Sequence, residues 1–195
     1  MLDAAIRTVQ TIPSVLSRVD ALRTIAPALS KAHRPEAANY LVDAAIQIVR
    51  KLPENPVGLA RTYSWLAMIQ HQVGAHQAAQ ATLMLARDAA LNIEKYEVRA
   101  YLLQEIGEAL ATTGAKDAAI VAFRYAASAA ALNSLNRHWI TEAMVRVGLT
   151  EASLNLIDYS DWSFQSGMFQ ALIDALLKRG DCARALAITI ERGGA

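Results

Sequence analysis

A chain of 195 residues with 54% apolar composition is long enough and apolar enough to bury a sizeable core, which excludes a disordered polypeptide. Nineteen basic and 18 acidic residues leave a net charge of +1 with no basic stripe, so nucleic acid is not an expected partner. The single cysteine, Cys182, excludes an intrachain disulfide framework, and alanine at about one position in five points to an all-α chain.

Asp3 and Arg7 fall within the first seven residues and no apolar signal core follows them, so a cytoplasmic location is expected. Periodicity predicts helices over roughly 2–12, 14–32, 34–51, 57–73, 76–92, 95–113, 116–132, 136–147, 150–158, 161–179 and 182–192. Pro27 interrupts the second, where proline costs about 3 kcal/mol, and a kink or break near residue 26 is expected. Pro53 and Pro56 bracket one turn, and Asn133 to Asn136 forms another. Residues 62–86 lack Asp, Glu, Lys and Arg, yet Gln70, His71, Gln72, Gly74, His76, Gln77 and Gln80 speak against membrane insertion. That stretch reads as a buried helical hairpin. No linker-like segment divides residues 1–195, so a single domain is expected.

A repeat emerges when helix ends are aligned on His33, Gly74, Gly114, Gly148 and Gly180, with separations of 41, 40, 34 and 32 residues. Eight positions before each anchor stand Ile25, Leu66, Ile106, Ile140 and Leu172. Seven before stand Ala26, Ala67, Gly107, Thr141 and Ile173; five after stand Ala38, Ala79, Ala119, Ser153 and Ala185. Twelve after stand Ala45, Ala86, Ala126 and Ser160, with Arg192 breaking the rule. A glycine stops a helix in the left-handed conformation without a Cβ penalty. Pro35, Asp117, Glu151 and Asp181 suit the first turn of the helix that follows. Small residues on either side of the turn let two antiparallel backbones approach, and such a hairpin must stack on its neighbours to bury its apolar face.

Residues 100–132 carry Leu103, Ile106, Gly107, Leu110, Gly114, Ala119, Phe123 and Ala126, and in this they resemble the tetratricopeptide repeat. A second copy at 59–91 has Tyr63, Leu66, Ala67, Gly74, Ala79 and Ala86; the other three are degenerate. The resemblance implies an all-α, right-handed α-solenoid of about five antiparallel helical hairpins. The sequence departs from the family at His76 and Lys116, where an aromatic is usual, in its scarcity of helix-ending prolines, and in the two spacings near 40. Related hairpin repeats of the HEAT type share the remaining features.

The resemblance further implies a non-enzymatic interaction scaffold or adaptor whose first helices line a concave groove for a partner peptide or protein. That face comprises Arg23, Arg61, Trp65, Met68, Tyr101, Glu105, Glu108, His138, Trp139, Glu142 and Arg146. Trp, Tyr and Arg are the residues most enriched at binding hot spots. Trp65 and Trp139 suit core gaps between hairpins equally well. Pro27, Met68 and Glu108 stand where the chaperone-binding branch of the family has asparagine, which disfavours capture of chaperone tails. Apolar positions near the ends, Ala4, Ala5, Ile6 and Val9 and then Ala183, Leu186, Ala187 and Ile190, raise as the alternative a self-associating or assembly-capping component, or a fragment of a longer helical-repeat protein.

Catalytic patterns are wanting. Gly107 and Gly114 belong to a helix rather than a phosphate loop. His71 and His76, five apart, fall on different helical faces and not in the i,i+4 geometry of a metal pair, so no metal is expected, and no cofactor either. His33 reads as a helix-ending residue and His138 as a packing or groove residue. Glu105 and Glu108 read as a solvated acidic strip, and Cys182 has no basic partner to make it a nucleophile.

Overall fold

The computed structural model describes residues 4, 7, 8, 11, 12, 14–50, 55–130, 134–158, 160 and 162–193. Ten helices lie among them, and no described residue is in a strand. They are α1 Val15–Lys31, α2 Pro35–Val49, α3 Pro56–Gln72, α4 His76–Leu91, α5 Tyr96–Thr112, α6 Lys116–Ala129, α7 Ser134–Arg146, α8 Thr150–Asp158, α9 Trp162–Lys178 and α10 Cys182–Gly193. The helix expected over 2–12 falls mostly on residues outside those described, as do Ala5, Ile6, Val9 and Pro53.

The chain divides into two compact units, Met1–Ile93 and Glu94–Ala195. In the first, α1 packs on α2 and α3, α2 on α3, and α3 on α4. In the second, α5 packs on α6 and α7, α6 on α7, α7 on α8 and α9, α8 on α9, and α9 on α10. Within its unit, each first helix thus touches its own hairpin partner, and α1, α5 and α7 also touch the first helix of the next hairpin. Within each unit this is the nearest-neighbour stacking of an α-solenoid.

All five anchors adopt positive φ: His33 at 58°, Gly74 and Gly114 at 88°, Gly148 at 81° and Gly180 at 83°. The hydrogen bonds around them repeat as well. At Gly74, the Ala75 N–H donates to the Gln70 carbonyl at 2.8 Å and the Gly74 N–H to the His71 carbonyl at 3.0 Å. The same pair recurs as Ala115 to Leu110 with Gly114 to Ala111, as Leu149 to Met144 with Gly148 to Val145, and as Asp181 to Leu176 with Gly180 to Leu177. Arg34 to Leu29 with His33 to Ser30 completes the set. These are Schellman closures, which satisfy the last carbonyls of one helix and aim the chain into the next.

The positions flanking the turn form the core. Leu66, Ile106, Ile140 and Leu172 are buried, as are Ala26, Ala67, Gly107 and Thr141, while Ile25 and Ile173 are half-buried. The small residues five after the turn, Ala38, Ala79, Ala119, Ser153 and Ala185, are all buried. A Cβ on Gly107 would meet three carbons of the fully buried Phe123 ring at 3.1 Å, so α5 and α6 approach to the limit that glycine permits. Twelve after the turn, Ala45, Ala86 and Ala126 are buried, Ser160 is half-buried and Arg192 is exposed.

Two expectations need correction. The helix containing Pro27 does not break: α1 runs from Val15 to Lys31. Proline removes one bond, to the Arg23 carbonyl, while Leu22, Ala26 and Leu29 remain wholly buried around it, so packing holds the helix through the defect. Of the turn expected over Asn133 to Asn136, Asn133 lies outside the described residues, and Ser134 to Asn136 belong to the start of α7. Residues 62–86 form the hairpin of α3 and α4, and no described helix is long and apolar enough to cross a membrane.

Candidate functional site

The first helices carry the candidate groove residues in a fixed register to the turn. In the first unit Arg23 is exposed on α1 and lies 3.9 Å from Asp20. On α3, Arg61 is exposed, Trp65 is 38% exposed and Met68 is half-buried. Four- and three-residue steps place these three on one stripe of the helix. Trp65 is therefore not a core residue.

In the second unit the corresponding face is denser. Trp139 on α7 is 55% exposed and Tyr101 on α5 is 50% exposed. The Tyr101 hydroxyl donates to Glu105 at 2.6 Å, one turn along. Glu108 accepts from Arg146 Nη2 at 2.7 Å and from Gln104 Nε2 at 3.1 Å. Glu142 accepts from Lys178 Nζ at 3.1 Å. These contacts follow a rule of register: the acid six residues before one turn pairs with the base two residues before the next. Glu108 and Arg146 satisfy it between α5 and α7, and Glu142 and Lys178 between α7 and α9. Glu105 and Glu108 are consequently engaged in separate contacts rather than forming one acidic strip.

A shallow depression of about 230 Å³ lies between α7 and α9, lined by Glu142, Arg146, Ala175, Lys178 and Arg179. Three cations and one carboxylate meet there, which favours a negative group of a partner. Arg179 Nη1 also donates to the Val145 carbonyl at 2.6 Å, a cation placed at the C-terminal end of α7.

His138 is half-buried on α7 and belongs to packing. Its imidazole occupies the space where a Cβ on Gly167 of α9 would stand, so the missing side chain at Gly167 admits the ring. One residue earlier, the buried Arg137 guanidinium stacks 4.5 Å from the centroid of Phe164. Nothing in the spacing of the sequence announces either contact, because both partners come from another helix.

The second helices bear a parallel set of ion pairs. Arg184 on α10 lies 2.5 Å from Glu151 on α8, and Arg192 bonds both carboxylate oxygens of Asp158. The Arg192 hydrogen bond holds the Asp158 carboxyl below its usual range, outweighing the opposing effect of burial.

His71 ends α3 and His76 begins α4, and the turn at Gly74 brings their Nδ1 atoms to 2.9 Å. Their ring centroids are 4.7 Å apart. Their five-residue spacing does not announce this contact, because the reversal lies between them. No group of three or more His, Cys, Asp or Glu able to hold a metal occurs among the described residues. Cys182 is exposed in the first turn of α10.

No protein-family model and no curated protein matches the sequence. Among solved structures, the chain is similar to the nearly identical TPR-like repeats of a Podosopora anserina protein that bears the name kinesin light chain. That likeness has 14% identity and a TM-score of 0.49, and covers 90% of this chain and 93% of the other. A point variant of the same protein gives 15% identity and a TM-score of 0.49, over 90% and 92% of the two chains.

Proposed function

We propose that the chain is a non-enzymatic interaction scaffold, a cytoplasmic adaptor in the simplest case, whose second unit binds a protein or peptide segment on its first-helix face. The observation that carries this reading is Trp139, more than half exposed on α7, one turn from Glu142 and two from Arg146. A large amphipathic ring held out from a rigid helix beside a cationic depression has the make-up of a binding hot spot. Tyr101 on the adjoining α5 extends the aromatic surface. A partner segment with an apolar or aromatic residue near an acidic one complements this face. Arg61, Trp65 and Met68 offer a comparable stripe in the first unit.

The test is a pull-down with wild type, Trp139→Ala, Tyr101→Ala and Lys178→Glu, with circular dichroism on each. Binding should fall at unchanged helicity. A variant that loses helicity together with binding would assign its residue to packing and remove it from the site.

A second reading rests on α10, where Leu186 and Ile190 are 62% and 67% exposed and stand one turn apart. Paired burial of that stripe would make the chain self-associate. Light scattering that returns a single-chain mass at high concentration disposes of it.

A further inference from the structure

Two of the chain's four histidines meet at one turn. His71 stands three residues before Gly74 and His76 two after it, and their Nδ1 atoms are 2.9 Å apart. In the other copies those two places hold Ser30 and Pro35, Ala111 and Lys116, Val145 and Thr150, and Leu177 and Cys182. Each of those turns closes with the same backbone hydrogen bonds, so the fold does not depend on the imidazole pair. The pair is an addition peculiar to the second copy.

Its supports are rigid. His71 lies in the last turn of α3 and His76 is the first residue of α4, and the Schellman closure between them fixes both backbones. His71 is half-buried and His76 exposed, so solvent reaches the pair. In the free chain one neutral imidazole donates its Nδ1–H to the Nδ1 lone pair of the other. The same two atoms suit a metal ion. Nitrogens about 2.0–2.1 Å from a metal stand about 2.9 Å apart when the angle at the metal is 90°, and about 3.3 Å apart when it is tetrahedral. The observed separation is the first of these. A 90° angle belongs to the square-planar or tetragonal coordination of Cu²⁺ and Ni²⁺. The donor set narrows the choice in the same direction. No Asp, Glu, Lys or Arg lies within residues 62–86, so the hairpin offers neutral nitrogens and no carboxylate. Mg²⁺ and Ca²⁺, which take oxygen ligands, are disfavoured.

We propose that His71 and His76 chelate a divalent copper or nickel ion through their Nδ1 atoms, with water in the remaining positions. The donor ring moves its proton from Nδ1 to Nε2, so both rings coordinate as neutral imidazoles and no proton leaves the pair. The ion then takes the place of the hydrogen bond between them, each ring turning so that both lone pairs converge on it. Because the two ligands are already held at the spacing of adjacent coordination positions, little ordering is left for binding to do. This site is separate from the first-helix face of the second unit and does not rest on that reading.

The experiment titrates the untagged full chain with Cu²⁺, Ni²⁺ and Mg²⁺ by calorimetry, and follows the amide signals of the ¹⁵N-labelled chain as Cu²⁺ is added. Cu²⁺ should bind more tightly than Ni²⁺, and Mg²⁺ should give no saturable heat. Paramagnetic broadening should begin at Gly74, Ala75 and His76 while the ion is still substoichiometric. That readout uses the wild-type chain, so it decides the matter whether or not a variant folds. His71→Ala and His76→Ala should each weaken Cu²⁺ binding at least about tenfold, the loss that even an outer-shell change produces. Both should keep the wild-type helicity, because the other turns close without this pair. His33→Gly should leave the affinity unchanged. The proposal is overturned by broadening that starts elsewhere, by a Cu²⁺ affinity that survives either substitution at His71 or His76, by an equal loss in His33→Gly, or by comparable binding of Mg²⁺.

Discussion

A Cβ added to Gly107 would stand 3.1 Å from three carbons of the Phe123 ring, which would have to give by a few tenths of an ångström. This contact sets the distance between α5 and α6. Gly107→Ala would gain up to about 1 kcal/mol of helix propensity. It would also force the fully buried ring aside, an overpacking cost of about 1–3 kcal/mol. The net expectation is a loss of about 1 kcal/mol in urea denaturation. Phe123→Leu in the same chain should recover part of it, and full additivity of the two changes would refute the contact.

The turn anchors make a paired prediction. Nothing lies within 4 Å of a Cβ added to Gly74, so Gly74→Ala tests backbone strain alone. At φ 88° it should destabilise by about 1–2 kcal/mol. His33 bears the opposite burden, a side chain at φ 58°, and His33→Gly should stabilise by up to about 1 kcal/mol. Midpoints of thermal or urea unfolding decide both.

The first-helix ion pairs are exposed and should contribute little alone. A double-mutant cycle on Glu108 and Arg146 should give a coupling of about 0.5 kcal/mol that shrinks with added salt. Because Glu142 and Lys178 obey the same register, their cycle should give a similar value. A coupling near ~3 kcal/mol in either would mean a buried pair, contrary to this geometry.

Asp158 gives a pH signature. Its folded pKa lies below its unfolded one because Arg192 bonds the carboxylate. The stabilisation is therefore complete above the unfolded value and disappears as pH falls below about 4. The pair is well exposed, so the effect should stay under about 1 kcal/mol. Asp158→Asn should lower Tm slightly at pH 7, and the two proteins should converge near pH 3. A difference that grows toward low pH would refute the assignment.

The repeat was legible because its signals are local. Each anchor, His33 included, appears in the left-handed region, since only there can a helix close and reverse within two residues. Small residues at fixed offsets are buried because hairpin geometry leaves no space for larger ones. Those local rules left a kink or a break open at Pro27; the helix does not break, with Leu22, Ala26 and Leu29 wholly buried around the lost hydrogen bond.

What the sequence determined by itself is the succession of helical hairpins, their turns and most of their core, all consequences of short-range spacing. The tertiary structure decided what meets across hairpins. It placed His71 against His76 over a reversal, His138 in the gap of Gly167, and acids six before one turn beside bases two before the next. It also showed Trp65 and Trp139 at the surface and Gln70 in the core with its carbonyl unpaired. The helical period tells which residues share a face, but only the packing of neighbouring hairpins determines which faces are covered.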